Sequence, residues 1–168
     1  MFRVASVVFL ISAILFSACR SGVSTTDLRL TAKNEGGREW LEITAPPQAL
    51  KINDWIKNCS ANVEVLYQSP RVLSLACRSK PQSYASFQLE DGQRLGLMNV
   101  IQAGGEGQLQ EAVNRYLRKQ HLHAFRPNDN FALTAQGLMF PTAEGDVVVS
   151  SIELRPLLRP DAALLVGR

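Results

Sequence analysis

The chain has 168 residues, 46% of them hydrophobic and 20% charged, with a formal net charge of +3. That length and balance suit one globular domain around one core, and they exclude a disordered chain and a multi-span membrane protein. Arg3 is the only charged residue among the first eighteen, so a chain without them carries +2. That is too weak a field to imply nucleic acid or an anionic membrane surface as partner.

The chain opens with Arg3, runs apolar from Val4 to Phe16, and reaches Cys19 through the small residues Ser17 and Ala18. The run is shorter than the ~20 residues a helix needs to cross a bilayer, and its flanks are those of a secretory signal. Leu15-Phe16-Ser17-Ala18-Cys19 resembles the bacterial lipoprotein box, with Phe16 where Leu is usual. The resemblance implies a signal peptide over residues 1–18 and lipidation of Cys19, which becomes the mature N-terminus. Residues 19–26 then form an acylated, flexible tether, and acyl chains at ~0.8 kcal/mol per buried methylene hold the protein on its membrane. Arg20 in place of an aspartate resembles lipoproteins forwarded to the outer membrane, facing the periplasm in a host with two membranes. The alternative is a plain secretory leader cut near Ala18.

Folding is expected from Asp27, so residues 27–168 form the domain. Leu28, Leu30 and Ala32 alternate with polar residues, Asn34-Glu35-Gly36-Gly37 turns the chain, and Leu41 and Ile43 alternate on the return, which predicts a hairpin. Pro46-Pro47 ends it. Ile52, Trp55, Ile56 and Cys59 then follow the three-and-four spacing of an amphipathic helix. Val63, Val65 and Tyr67 predict a strand, and Ser69-Pro70 turns it into another whose inward set is Leu73, Leu75 and Cys77. Cys59 and Cys77 thus face one interior, in a chain whose leader directs it to an oxidising compartment where a periplasm exists. A helix-to-strand disulfide, worth about 3 kcal/mol on the chain-entropy estimate, stands against two buried free thiols.

Ala85, Phe87 and Leu89 continue the sheet, and Asp91-Gly92 signals a tight hairpin into Arg94–Leu97. Ala103 to Gly107 interrupts it. Leu109, Val113, Tyr116 and Leu117 form a second apolar stripe, with Glu111 four residues before Arg115. From Phe131 to Leu158 the chain reads as an antiparallel meander closed by a leucine-rich turn, where Ser150 and Glu153 form a capping box and Pro156 keeps the helix short. The expected class is α+β: a mainly antiparallel sheet with two amphipathic helices packed on it.

Seats for chemistry are few. Glycines at 104, 105 and 107 precede a helix, but no Lys-Ser or Lys-Thr follows and no buried strand precedes, so a helix-entry loop is favoured over a phosphate cradle. His121 and His123, two apart at a helix end, point in different directions on a helix and lack a third ligand nearby, so no metal is expected. Glu90 with Asp91, and Glu144 with Asp146, lie in predicted turns and read as loop residues. Trp55 reads as core and Trp40 as the one aromatic free to stack on a sugar. No catalytic motif occurs; no catalytic residue, metal or cofactor is assigned.

Val72-Leu73-Ser74-Leu75, Leu89 to Leu95, Phe131 to Phe140 and Ser150 to Leu158 resemble segments of the RsiV-type envelope domain. That domain of unknown activity occurs in bacterial lipoproteins, in a lysozyme-sensing anti-sigma factor and beside peptidoglycan deacetylase domains. Ser79-Lys80-Pro81-Gln82 replaces the family's Gly-Ala-His-Pro-like element, and Pro141 to Gly145 is shorter than its counterpart, so no binding residue is carried over. The resemblance implies a non-catalytic, lipid-anchored envelope domain that binds a lysozyme-like or envelope protein, or peptidoglycan. A basic lysozyme favours an acidic surface, from which this slightly basic chain departs. The alternatives are an accessory to, or weak member of, the peptidoglycan hydrolases and deacetylases, and a structural envelope lipoprotein.

Overall fold

A computed structural model describes residues 28–162 apart from Gly36. The expected signal peptide and Cys19 lie outside the described residues. The chain runs β1 (Arg29–Glu35), β2 (Arg38–Ala45), a 3-10 turn (Pro47–Lys51), α1 (Ile52–Asn58), β3 (Val63–Gln68), β4 (Val72–Cys77) and β5 (Ser83–Gln88). Then come α2 (Leu97–Val100), α3 (Glu106–Lys119), β6 (Ala132–Leu133), β7 (Gly137–Thr142), β8 (Gly145–Ser150), α4 (Ser151–Leu154) and a 3-10 turn (Arg155–Leu157). The strands form three antiparallel sheets, β1-β2, β3-β4-β5 and β6-β7-β8. This is the α+β class that the periodicities indicate.

Strand β4 lies at the centre, and here the structure departs from a simple alternation. All six of its residues are buried, where the sequence pattern assigns only Leu73, Leu75 and Cys77 to the interior. Leu73 and Leu75 pack with Ala85 and Phe87 of β5 against Ile52 and Ile56 of α1. On the opposite face, Val72 joins the core built by α3 and the meander, and Ala76 packs with Tyr84 and Ala132. A strand covered on both faces shows no polar side to the sequence reader.

Two buried serines sit on that second face. Ser74 and Ser86 are register partners, fully buried, with hydroxyl oxygens 2.9 Å apart. The Leu133 N–H of β6 donates to Ser86 Oγ at 2.7 Å, and the Tyr84 N–H donates to Asn130 Oδ1. The third sheet is therefore attached to the second by polar bonds inside an apolar interface, where an unmade bond is costly.

The Asp91-Gly92 turn forms as expected: Gly92 N–H donates to Gln88 O, and Asp91 Oδ1 accepts from Gln93 N–H. The return strand shrinks to a single bridge, Phe87 with Arg94. Gly92 has φ of 71°, and a Cβ there would lie 2.1 Å from the Gln48 carbonyl oxygen, so both conformation and space require glycine. Helix α3 buries Leu109, Val113 and Leu117, while Tyr116 stays partly outside. Ser150 Oγ caps α4 by accepting from Glu153 N–H at 3.3 Å.

Ser86→Ala strands the Leu133 N–H and removes Ser74's partner in a buried site. It is expected to lower unfolding free energy by ~1–3 kcal/mol, read from the midpoint of urea denaturation at unchanged slope. A loss below a few tenths would show that the seam is not held by these bonds.

Candidate functional site

Cys59, at the end of α1, and Cys77, the last residue of β4, are joined by a disulfide across a sequence separation of 18, with Cα atoms 5.7 Å apart. The bridge ties α1 to the central strand.

The glycine cluster is a helix entry in which Gly105 is packed while Gly104 and Gly107 face open space. A Cβ on Gly105 would approach Ile101 Cγ2 to 2.8 Å, and the Gly105 N–H donates to Gln102 O. Trp40 is not the free platform its strand position suggests. It packs beside Leu28, Leu30 and Trp55 against the α1 core, and its indole Nε1 is buried without a partner. Trp55 meets Phe87 edge-on, with ring centroids 5.9 Å apart.

The two histidines separate into different roles. The Leu122 N–H donates to Leu117 O and the His121 N–H to Arg118 O, the bonding pattern of a Schellman cap on α3. His121 occupies the left-handed position of that cap, with φ of 58°, where glycine is usual. His123, 94% exposed at its side chain, places Nδ1 2.5 Å from Glu144 Oε1. Glu144 thus joins the β7–β8 turn to the segment after α3, where Phe125 packs on Phe140. The hydrogen bond and charge of Glu144 raise the His123 pKa, and the same contact lowers that of Glu144. The pair gains from a protonated His123 below its raised pKa and an ionised Glu144 above its lowered one, so it persists between them and is lost on either side.

Asp146 also does more than shape a turn. Tyr84 is fully buried, and its hydroxyl donates to Asp146 Oδ1 at 2.6 Å while accepting from Arg78 Nη1 at 3.0 Å. Arg78 also binds Glu64 Oε2 through Nη2 at 2.6 Å. The network links β3, the end of β4, β5 and β8. Burial, then the Asp146 carboxylate, push the Tyr84 phenol up to about 12 against the opposing pull of Arg78. A phenol held so high stays protonated through the neutral range and serves as a tie between sheets rather than as a base.

A shallow open cleft lies between α3 and the meander. About 150 Å³ in volume, it is floored by Ala112 and Val148 and rimmed by Arg115, Tyr116, Lys119 and Glu153. Arg115 lies 3.8 Å from both Glu111 and Glu153, whereas Lys119 has no carboxylate partner among the described residues. The volume is below the ~300 Å³ of an ordinary small-molecule site. The sequence placed Tyr116 on the apolar stripe of a helix and Arg115 four residues after Glu111, but Val148 and Glu153 come beside them only through the fold.

The sequence matches no protein-family model and no curated protein. Among solved structures, the chain is similar to a member of the DUF3298 family from Bacteroides fragilis NCTC 9343. The two are 9% identical with a TM-score of 0.55, over 84% of this chain and 98% of that one. A DUF3298 family protein from Pseudomonas aeruginosa PAO1 is similar at 11% identity and a TM-score of 0.49, over 85% of this chain and 97% of that one. At such identities the likeness concerns the fold alone.

Two measurements test the histidine assignments. In an NMR titration, His123 is expected to titrate above the ordinary 6.5 and to return to it in Glu144→Gln; equal values in both proteins would remove the pairing. His121→Gly relieves a left-handed side chain and is expected to raise stability by about 1 kcal/mol, seen as a higher thermal midpoint.

Proposed function

We propose that this chain is a lipid-anchored domain of the bacterial cell envelope that binds a protein or cell-wall component without catalysing a reaction. The observation that carries the reading is the Cys59–Cys77 disulfide. Such bridges persist mainly in oxidising compartments, which agrees with the leader ahead of Cys19. A fold similar to that of a DUF3298 family member agrees with the RsiV-type resemblance. The anchor is Cys19, with the tether of residues 20–26 leading to the folded body. The cleft beside α3 is the surface for the partner: Lys119 and Arg115 would meet an anionic group, and Ala112 and Val148 would take an apolar one. Tyr84, Arg78 and Asp146 satisfy one another and have a structural role.

Cys19→Ala is expected to move the protein from the membrane fraction to the soluble fraction, with Cys59 and Cys77 still closed to thiol reagent after denaturation without reductant. Retention on the membrane would refute the anchor. Full labelling of both cysteines would refute the oxidising compartment. For binding, the wild-type chain is expected to be retained by purified cell wall or by lysozyme in a pull-down, and Lys119→Glu to weaken retention by an anionic cell-wall group severalfold. No retention by either would leave a structural lipoprotein as the better reading.

A further inference from the structure

The β1-β2 hairpin is a two-stranded ribbon seated on the α1 core through β2, with β1 as its outer strand. Thr31 to Glu35 are all exposed, whereas the base of the ribbon is held by α1, whose Asn53 brackets Ile43 by accepting from its N–H at 2.8 Å and donating to its carbonyl at 2.9 Å. Among the described residues, β1 pairs with β2 alone, so alternate backbone N–H and C=O groups along its outer edge face away from any strand. A bare two-stranded ribbon is marginal in water, and an open edge of this length is a template for another strand. Edge lysines usually discourage such pairing, but Lys33 is folded back across the ribbon, its Nζ 3.2 Å from Glu42 on β2.

We infer that the β1 edge pairs antiparallel with the β1 edge of a second copy of this chain, giving a four-stranded sheet β2-β1-β1-β2 across a two-fold axis. The strand Arg-Leu-Thr-Ala-Lys-Asn-Glu is complementary to itself in one register. Centred on Ala32, Arg29 lies opposite the partner's Glu35 at both ends, Leu30 opposite Asn34, and Thr31 opposite Lys33. The smallest side chain of the strand falls on the axis. Arg29 and Glu35 are exposed and make no ion pair among the described residues, so both charges are free to pair across the interface. Ala32 is exposed in one copy and sits on the same face as Leu30, Leu41 and Ile43. Pairing extends that apolar stripe across the axis. Seven paired residues form an interface well below the ~1,600 Å² typical of stable complexes, so the association is weak and reversible. It requires neither the lipid anchor nor the cleft beside α3, although anchoring both copies in one membrane would concentrate them.

The test is oxidative cross-linking of the full-length chain in detergent micelles, read on non-reducing gels against the parent protein. An antiparallel register centred on Ala32 sets the two Ala32 Cα atoms about 4.5–5.5 Å apart, within the ~4.4–6.8 Å a disulfide spans. Two copies of Asn34 would be about 14 Å apart. Ala32→Cys is therefore expected to form covalent dimer at least tenfold faster than Asn34→Cys. Adding Arg29→Glu to the Ala32→Cys chain sets like charges opposite each other at both ends and is expected to cut dimer yield severalfold. Adding Glu35→Arg as well is expected to restore it, which also shows that loss in the single variant is not misfolding. Equal cross-linking at Ala32→Cys and Asn34→Cys, or a charge swap that fails to restore the yield, would overturn the register and with it the proposal.

Discussion

Strand β4 has no face toward solvent, and the remainder of the structure is arranged to keep it so. Leu73 and Leu75 need α1 and the base of the hairpin on one side, and Val72 and Ala76 need the meander on the other. Covering both faces buries Ser74 and Ser86 as well, and hydroxyls in such a place must find partners. They find each other and the Leu133 N–H. The same requirement explains why the third sheet sits at a fixed offset: moving β6 by one residue would leave both a buried donor and a buried acceptor unpaired.

The polar contacts outside this core act between layers. The disulfide fixes α1 to the end of β4, and Arg78, one residue beyond, extends the connection to Glu64, Tyr84 and Asp146. Asn130 and Asp129 perform the same task from the segment before β6, Asp129 Oδ1 accepting the Leu97 N–H at the start of α2. Small antiparallel sheets that are not continuous with one another need such ties, because no shared strand ladder sets their relative position. Tyr84 illustrates the consequence for chemistry. Its perturbed phenol reflects burial beside a carboxylate, and perturbed groups arise in structural networks as well as in active sites.

What faces outward is distributed unevenly. The body presents a shallow cleft with a basic rim on the α3 side, while the β1-β2 ribbon presents an open strand edge with little apolar cover. These surfaces suit different partners: a cleft selects a protruding group by charge and size, and a strand edge selects an extended backbone in a particular register. Under the two proposals, a ligand on the body and a second copy on the ribbon would not compete, because the two surfaces are separate.

The sequence by itself determined the elements and their local chemistry. Period-two alternation gave the hairpin and the meander, three-and-four spacing gave α1 and α3, and Asp91-Gly92 and Ser150 with Glu153 gave a turn and a cap, because these depend on residues within a few positions of one another. It also brought Cys59 and Cys77 to one interior, since each lies on a stripe whose direction is set locally. Only the tertiary structure decided that β4 is buried twice, that Trp40 packs against the core, and that Glu144 and Asp146 hold His123 and Tyr84. Each of those facts joins residues tens of positions apart, and the pattern around any one of them reads equally well as an edge strand, a free aromatic or a solvated turn. Burial on a second face and the pairing of distant polar groups follow from how layers stack, and nearest-neighbour periodicity contains no term for it.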